Sequence, residues 1–285
     1  PRTMSMPGAS KRVVLTAAAA AAVFIGAAAA TALSTPKRQR KGAASQSSDK
    51  PKLRPLRLAV LNPLDGSRYN RLFCCMFHEL LIDCGYVGCE LVEFDVRGGE
   101  DAGRDAVVSY PDDYTSFDGV VIPGSSADAF DPAKYPFVPR LEATIRVLNA
   151  ARVPMLGICF GHQVIATALG GNVERNSHPT RAAAEPFTPT ALGASLGLPS
   201  AKATLLYHHN DVVTMPGQGG EVLGSSATNP VEITAYGADG DLASGRCHAV
   251  TFQAHPEFST ATGVEVLTDI IMRRDAPRLG DEWAK

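Results

Sequence analysis

The residue type and spacing best suited to chemistry occur at Cys159, which lies between Gly157 and Gly161. A short apolar run precedes this cysteine and a helical pattern follows it, which predicts a strand, a tight turn and a helix. Small neighbours let such a turn tighten until the central side chain stands clear of the backbone. We therefore expect a presented rather than buried thiol, with the positive end of the helix dipole favouring its thiolate form. The alternative, a small apolar cysteine filling a strand end, is disfavoured by the paired glycines.

A second reactive pair lies about a hundred residues later, in the sequence His-Pro-Glu at residues 255–257. If residues 247–258 form a strand, His255 and Glu257 share one face because alternate strand residues point the same way. An imidazole that takes a proton from a thiol needs a second group to fix its tautomer, and a nearby carboxylate can do so. Pro256 removes a ladder donor and indicates that the strand ends here. By itself, His-Pro-Glu could equally be an ordinary turn.

The two motifs together resemble those of the class I glutamine amidotransferases. In that family a Gly-x-Cys-x-Gly-x-Gln turn and a late His-Pro-Glu supply a Cys-His-Glu triad, and both motifs are complete here in Cys159, His255 and Glu257. The resemblance extends over residues 56–274 and is strongest to the stand-alone branch, which includes plant gamma-glutamyl peptidases and amidotransferase-like proteins of unassigned substrate. The motif pair indicates the superfamily and leaves the substrate open.

The same resemblance implies five further site residues. By analogy with the family, the backbone N–H groups of Gly124 and Phe160 form the oxyanion hole that binds the oxygen of the tetrahedral intermediate. Taken alone, Gly124 could equally be a plain glycine between a strand and a loop. Gln163 and a His-x-Asp pair, His209 and Asp211, are implied to bind the glutamyl head of the substrate.

One segment departs from the family pattern. Residues 175–199 are rich in Ala, Pro, Thr and Ser and lack the usual Gly-aromatic-Glu-Leu-Gly segment, which leaves substrate recognition open. A metal at His208, His209 and Asp211 is disfavoured because no further cluster completes the coordination sphere. The cysteines at residues 74–89 contain no Cys-x-x-Cys pair, which disfavours zinc there. We therefore expect neither a metal nor a cofactor.

Charge is divided unevenly along the chain. Residues 1–48 hold seven Lys or Arg and no Asp or Glu, leaving twenty basic against twenty-nine acidic residues in the remainder. An acidic folded part argues against a nucleic-acid surface, which needs clustered positive charge. The six cysteines show no secreted framework spacing, and a thiolate enzyme needs a reducing compartment. We expect free thiols and a catalytic domain in the cytosol.

The amino-terminal part of the chain reads as a leader and a linker. Residues 1–34 are Ala-rich and apolar, and residues 35–55 are polar and basic, as in a flexible linker. The uncharged run at residues 13–33 is long enough to span a bilayer, but eleven of its residues are alanine, so its insertion is marginal. A membrane anchor and an organelle transit peptide fit equally, with a secretory signal or a disordered leader as the remaining alternatives.

The rest of the chain shows the alternating strands and helices of an α/β domain. Apolar patterns predict strands at residues 57–61 and 90–96, a buried strand that opens into a glycine turn at residues 117–126, and helices at residues 68–85, 137–151 and 260–274. Strand, helix and strand in that order form a right-handed parallel unit. We predict a catalytic domain at residues 56–276, a three-layer sandwich with a mostly parallel central sheet of the flavodoxin-like type, and a short tail at residues 277–285.

These observations favour a cysteine-dependent amidohydrolase. It would cleave the gamma-glutamyl amide of glutamine or of a gamma-glutamyl peptide, a small-molecule substrate, through a glutamyl thioester. Only about ten residues follow the last predicted helix, so we expect no fused synthase domain, and released ammonia would pass to a separate subunit if it is used. The alternative is a catalytically idle, membrane-tethered interaction module of the same fold, which the complete triad disfavours.

Overall fold

The computed structural model describes residues 55–98, 107–177, 181–199, 203–238 and 240–275. The leader predicted at residues 1–34, nearly all of the linker at 35–55 and the tail at 277–285 lie outside these ranges. Within the ranges, no helix is both long enough and apolar enough to cross a membrane. The helices there are α1 (Arg68–Asp83), α2 (Val138–Ala150), α3 (Phe160–Ala168), α4 (Ala191–Ser195) and α5 (Ala261–Ile270).

Five parallel strands form the part of the sheet that was predicted. They are β1 (Arg57–Asn62), β2 (Glu90–Asp95), β3 (Gly119–Ile122), β4 (Met155–Ile158) and β11 (Ala249–Phe252). Their order across the sheet is β2-β1-β3-β4-β11, with every neighbouring pair parallel. This is the flavodoxin-like order, in which ligands bind beyond the carboxyl ends of the strands. The predicted parallel core is therefore confirmed.

An antiparallel half extends the sheet beyond β11. Its strands are β10 (Ile233–Tyr236), β9 (Gly220–Ser225), β6 (Arg181–Pro189) and β7 (Ala203–His209), in that order outward. A separate two-stranded ribbon pairs β5 (Asn172–Arg175) with β8 (Asp211–Met215). The sequence analysis predicted no strand at β6, because its run of small residues and prolines lacks the alternation that marks a half-buried strand.

Two hydrophobic cores lie on opposite faces of the parallel strands, which gives the three layers that the sequence predicts. Along β1, Leu58 and Val60 enter the core beneath α1 and α5, whereas Ala59 and Leu61 enter the core beneath α2 and α3. This alternation follows from the two-residue period of a strand. Full burial of one such leucine stabilises the fold by about 1.5–3 kcal/mol.

Helix α1 begins where the sequence analysis placed it. Ser67 is its N-cap, and the Ser67 hydroxyl accepts a hydrogen bond from the N–H of Asn70. The helix ends at Asp83, two residues before the predicted end, because Gly85 adopts a positive φ of 89° that no helix contains. Helix α5 similarly ends four residues early and continues as a π turn over residues 271–275.

The glycines on either side of Cys159 are required by close backbone packing. A Cβ atom at Gly161 would lie 2.0 Å from the Ile122 carbonyl oxygen of β3, and one at Gly157 would lie 2.7 Å from the Gly161 carbonyl oxygen. No side chain fits at such distances without moving the backbone. The turn between β4 and α3 is therefore tight because two strands and a helix converge on it.

We expect Gly161→Ala to lower the free energy of unfolding by about 3 kcal/mol or more, because the added methyl collides with backbone atoms. Gly170→Ala is the matched control: Gly170 has a φ of 81° but open space around its Cα. The free energy of unfolding of Gly170→Ala should fall by only about 1–2 kcal/mol, which is the cost of placing alanine in a left-handed backbone conformation. Urea unfolding followed by circular dichroism measures both values, and equal losses would contradict the steric argument.

Candidate active site

Cys159 occupies a strained turn at the carboxyl end of β4. Its φ of 52° and ψ of −102° are rare for a residue with a side chain, and helix α3 begins at the next residue. The predicted elbow is thus confirmed. The expectation of a presented thiol is wrong, because Cys159 is only 6% exposed. The His208 carbonyl oxygen and the Gln253 amide nitrogen each lie 3.7 Å from the sulfur and cover it.

His255 and Glu257 are in contact, although not in the way the sequence suggested. Strand β11 ends at Phe252, and Glu257 lies in a 3-10 turn at Pro256–Ser259 instead of on a strand. The proline at its start cannot donate to a sheet ladder and favours such a turn. The turn brings the Glu257 Oε1 atom to 2.8 Å from His255 Nδ1. The predicted contact is present, and the predicted shared strand face is wrong.

The first turn of α5 packs against the 3-10 turn that contains Glu257. The Thr260 hydroxyl donates to the Glu257 carbonyl oxygen at 2.9 Å and accepts from the N–H of Gly263 at 3.0 Å. A Cβ atom at Gly263 would lie 2.1 Å from that same carbonyl oxygen, so the turn rests directly on the helix backbone. The Glu257 carboxylate is thereby held in place without any exposure to solvent.

The charges of the three groups are coupled. Burial alone lowers the pKa of His255, but the negative charges of Cys159 and Glu257 outweigh burial and raise that pKa to about 10. The protonated imidazole is therefore favoured when the sulfur and the carboxylate are both ionised. His255 Nε2 has no hydrogen-bond partner among the described residues, which leaves it available to exchange a proton with the sulfur.

Tyr69 joins this group, and the sequence analysis missed it. Its buried hydroxyl donates to Glu257 Oε1 at 2.8 Å and accepts from the Gly124 N–H at 3.1 Å. Its ring meets the His255 ring edge-on, with 5.4 Å between centroids, and Phe258 stacks on His255 at 4.4 Å and meets Tyr69 edge-on at 5.7 Å. The only sequence signal was a tyrosine in the first turn of an amphipathic helix, which ordinarily indicates a core residue.

We expect Tyr69→Phe to lower kcat/KM by about 10-fold to 100-fold, because the Glu257 carboxylate loses a hydrogen bond that holds the oxygen facing His255. Tyr236→Phe is the matched control, since Tyr236 is also a buried tyrosine and donates one hydrogen bond, to the Pro216 carbonyl oxygen. The two variants should have similar melting temperatures but different activities. Equal activities would mean that Tyr69 only fills the core.

The backbone of Gly124, the predicted oxyanion donor, already makes two hydrogen bonds within the protein. Its N–H donates to the Tyr69 hydroxyl, and its carbonyl oxygen accepts from the Asn70 side chain at 3.0 Å. A Cβ atom there would lie 3.0 Å from both His255 Cε1 and the Tyr69 hydroxyl oxygen, so any side chain at this position would push against these two rings. Phe160 is the first residue of α3, whose first N–H groups have no helical acceptor.

The three predicted substrate-binding residues lie together, although their side chains are largely engaged within the protein. The Gln163 amide nitrogen donates to the Asp211 carbonyl oxygen and to Gln253 Oε1, each at 3.1 Å. His209 Nδ1 lies 2.9 Å from the same Asp211 carbonyl oxygen. These contacts shape the loop between β7 and β8. The structure therefore shows a loop-positioning role for Gln163 and His209 that the sequence analysis did not predict.

The Asp211 carboxylate is bound by Arg175. The Arg175 guanidinium lies 2.7 Å from Asp211 Oδ1 and 3.0 Å from Asp128 Oδ1, so two carboxylates share one cation. Burial raises the pKa of Asp211 to about 7; Arg175 lowers it and Asp128 raises it further. Asp211 in its present conformation is not free to bind a substrate ammonium without rearrangement of this cluster.

The raised pKa of Asp211 predicts a pH dependence of stability. Between about pH 3.9, the pKa of an unfolded aspartate, and about pH 7, the native state retains a proton that the unfolded state has lost. This group therefore makes stability fall as pH rises through that window. We expect the free energy of unfolding of Asp211→Asn to rise more steeply, or fall less, with pH between 4 and 7 than that of the wild type. Parallel slopes in urea unfolding would contradict this.

Two clefts meet at Cys159. The larger, about 240 Å³, is lined by His255, Tyr69 and Arg68, and the smaller, about 40 Å³, by Gln163, His209 and Asp211. Ser125, Ser126, Cys159 and His208 line both clefts. Cys159 thus lies between two clefts of different size and lining.

Three other titratable groups, Cys84, Cys247 and His162, are uncharged. Within the described ranges no disulfide forms and no three His, Cys, Asp or Glu residues are grouped to hold a metal. Burial raises the pKa of both Cys84 and Cys247 to about 11, which keeps these thiols protonated and unreactive. His162 bonds to Thr251 and to the Val231 carbonyl oxygen, and burial lowers its pKa to about 4. It is a neutral core histidine.

The sequence matches a known protein family. Residues 92–273, more than half of the chain, match the family described as glutamine amidotransferase class-I. Gamma-glutamyl peptidase 5 of Arabidopsis thaliana is 29% identical over 172 residues, which cover 58% of this chain and 62% of the peptidase. A GMP synthase (glutamine-hydrolyzing) of Aeropyrum pernix is 35% identical over 144 residues, covering 48% of this chain and 25% of the synthase. The matched region thus spans about three-fifths of the peptidase and a quarter of the synthase.

Solved structures show the same fold. A glutamine amidotransferase from Thermotoga maritima superposes with a TM-score of 0.58 at 18% identity, over 82% of this chain and 91% of the other. A second, from Methylobacillus flagellatus, gives a TM-score of 0.54 at 18% identity, over 80% and 77% of the two chains. At these identities the similarity shows the arrangement of strands and helices.

Proposed function

This chain belongs to the class I glutamine amidotransferase family, and we propose on that basis that it is a cysteine amidohydrolase that cleaves a gamma-glutamyl amide. The observation that carries the proposal is the arrangement of Cys159 in a strained elbow, His255 electrostatically coupled to its sulfur, and a buried Glu257 bound to His255. The similarity to a gamma-glutamyl peptidase and to a glutamine-hydrolyzing GMP synthase supports gamma-glutamyl chemistry for the same fold.

In the first half of the reaction the Cys159 thiolate attacks the gamma-carbonyl carbon. A C–S bond forms, the carbonyl oxygen becomes an oxyanion, and Glu257 keeps the imidazolium of His255 oriented through Nδ1. When the oxyanion collapses, the C–N bond breaks and the leaving nitrogen takes the proton from His255 Nε2. The products of this half are a glutamyl thioester on Cys159 and a neutral amine.

In the second half, water replaces the amine. Neutral His255 removes a proton from the water as its oxygen attacks the thioester carbon, and the C–S bond then breaks. The sulfur leaves as a thiolate beside the newly formed imidazolium, so the resting ion pair is restored. The acyl product is glutamate, and no electron transfer or additional reactant is needed.

The oxyanion requires backbone donors beside Cys159. We assign this role to the N–H of Phe160, at the positive end of α3. The N–H of Gly124 would be a second donor if the 3.1 Å hydrogen bond to Tyr69 exchanged for one to the oxyanion. In such an exchange the N–H would remain hydrogen-bonded, because the oxyanion would replace the hydroxyl as its acceptor.

The two clefts suggest where each part of the substrate lies. The leaving nitrogen must reach His255, which lines the larger cleft and not the smaller one. The glutamyl head is therefore assigned to the smaller cleft, beside Gln163, His209 and the carboxylates of Asp211 and Asp128. Charged groups there match the ammonium and carboxylate of a glutamyl head, provided that Arg175 shifts on binding.

The experiment that tests the function is a substrate screen. Purified chain is incubated with glutamine, glutathione and gamma-glutamyl dipeptides, and glutamate and the released amine are measured. A glutamine-like chloroketone should inactivate the enzyme and add its mass to the peptide that contains Cys159. Failure of both turnover and labelling would overturn the proposal and favour the idle interaction module.

The similarity to GMP synthases also suggests a separate subunit that accepts ammonia. Such an enzyme would hydrolyse glutamine slowly until its partner binds. The substrate screen distinguishes the cases, because a stand-alone hydrolase reaches full turnover without an added protein.

A further inference from the structure

The larger cleft is bigger than glutamine hydrolysis requires. Its volume of about 240 Å³ is about eight times the ~30 Å³ that one water molecule occupies in the liquid. Ammonia, the leaving group from glutamine, is about as large as water. If the leaving nitrogen lies beside His255, most of this cleft would therefore remain unfilled during glutamine hydrolysis. An amine of amino-acid or dipeptide size would fill it.

The charges around this cleft indicate what such an amine carries. Arg68 lines the cleft, and its nearest carboxylates, Glu265 and Asp269, lie at 3.7 and 3.9 Å, at the long end for ion pairs. Asp269 is bound more closely by Arg273, at 2.5 Å. The guanidinium of Arg68 is thus not tightly paired and can bind an anionic ligand bidentately.

The other acidic group of the cleft is satisfied within the protein. Asp65 accepts hydrogen bonds from the Ser67 N–H at 2.9 Å, the Ser126 N–H at 3.1 Å and the Ser126 hydroxyl at 2.6 Å. These donors offset its charge toward a ligand. The amino-terminal end of α1, where Arg68 is the first residue, adds a positive dipole in the same region.

We propose that the larger cleft is a leaving-group subsite for an amine bearing a carboxylate, and that Arg68 binds this carboxylate. The proposal rests on the function proposed above and narrows its substrate class. The preferred substrates are then gamma-glutamyl amino acids or gamma-glutamyl peptides with a free carboxyl terminus, whereas glutamine fills only part of the site.

The test compares one substrate with and without its terminal charge. kcat/KM is measured for gamma-glutamyl-alanine, for its carboxamide and for glutamine, using the full chain and the variants Arg68→Gln, Arg68→Lys and Arg71→Gln. Arg71 is the matched control, an exposed arginine on the same helix that contacts the Gly66 carbonyl oxygen and does not line the cleft.

We expect the wild type and Arg71→Gln to prefer the free acid over the carboxamide by about fivefold or more, as for one partly exposed ion pair. Arg68→Gln should reduce this preference to within about twofold, and Arg68→Lys should fall between. A wild type without the preference, or an Arg68→Gln variant that retains it, overturns the subsite. Turnover of glutamine without turnover of the peptide also overturns it but leaves the proposed function intact. If none of the three substrates is turned over, both the subsite and the proposed function are overturned.

Discussion

Cys159→Ser is expected to lower kcat/KM for any gamma-glutamyl substrate by at least about 1000-fold while leaving the fold intact. A serine hydroxyl has a much higher pKa than a thiol, so the resting ion pair with His255 would not form. The strained elbow fixes the position of the attacking atom, and an oxygen with shorter bonds lies farther from the substrate carbon. The melting temperature should change little, because the side chains differ by one atom.

The control for this prediction is Cys247→Ser, which makes the same chemical change outside the site. Cys247 is partly buried, and burial raises the pKa of its thiol to about 11. We expect its kcat/KM to remain within twofold of the wild type. If purified Cys159→Ser kept more than a few per cent of the wild-type activity, Cys159 would not be the nucleophile.

His255→Ala should lower kcat/KM by about 1000-fold or more, and Glu257→Gln should be milder, at about 10-fold to 100-fold. The alanine variant removes the group that takes and returns the proton. The glutamine variant keeps an oxygen where Glu257 Oε1 lies. Because the Tyr69 hydroxyl and His255 Nδ1 both meet that atom at 2.8 Å, two donors favour the amide oxygen over the amide nitrogen there.

The comparison also tests the role of the carboxylate charge. Equal losses in the two variants would mean that the charge of Glu257, which raises the pKa of His255, matters more to activity than the orientation that an amide oxygen can also supply. The double variant that combines Tyr69→Phe with Glu257→Gln tests whether Tyr69 orients the new amide group. If Tyr69 orients the amide oxygen, the combined loss should exceed the product of the single losses.

The nature of the elbow could be predicted from the sequence because it depends on local backbone constraints. Gly157 and Gly161 are recognisable since only glycine permits approaches of 2.0 to 2.7 Å between a would-be Cβ and a backbone oxygen. The alternation of apolar residues in β1 likewise predicted its two buried faces. The family, the parallel core and the group of Cys159, His255 and Glu257 follow from such local patterns.

The exposure of Cys159 and the turn at Glu257 were decided by packing. The thiol is covered by the His208 carbonyl and the Gln253 amide, which come from β7 and from the segment after β11. No pattern near Cys159 contains that information. His255 and Glu257 meet because α5 supports a 3-10 turn, where the sequence pattern suggested a longer strand.

By itself, the sequence determined which residues are candidates for the chemistry, because strained turns, strand ends and helix caps depend on neighbours along the chain. Only the tertiary structure decided which distant residues form hydrogen bonds and ion pairs with them. Tyr69 and Glu257 are 188 positions apart, and they meet because helix α1, which follows β1, packs against the 3-10 turn that follows β11. The attachment of Arg175 to Asp211 likewise depends on the pairing of β5 with β8. Hydrogen bonds and ion pairs between distant segments depend on strand order and register, and no local pattern encodes these.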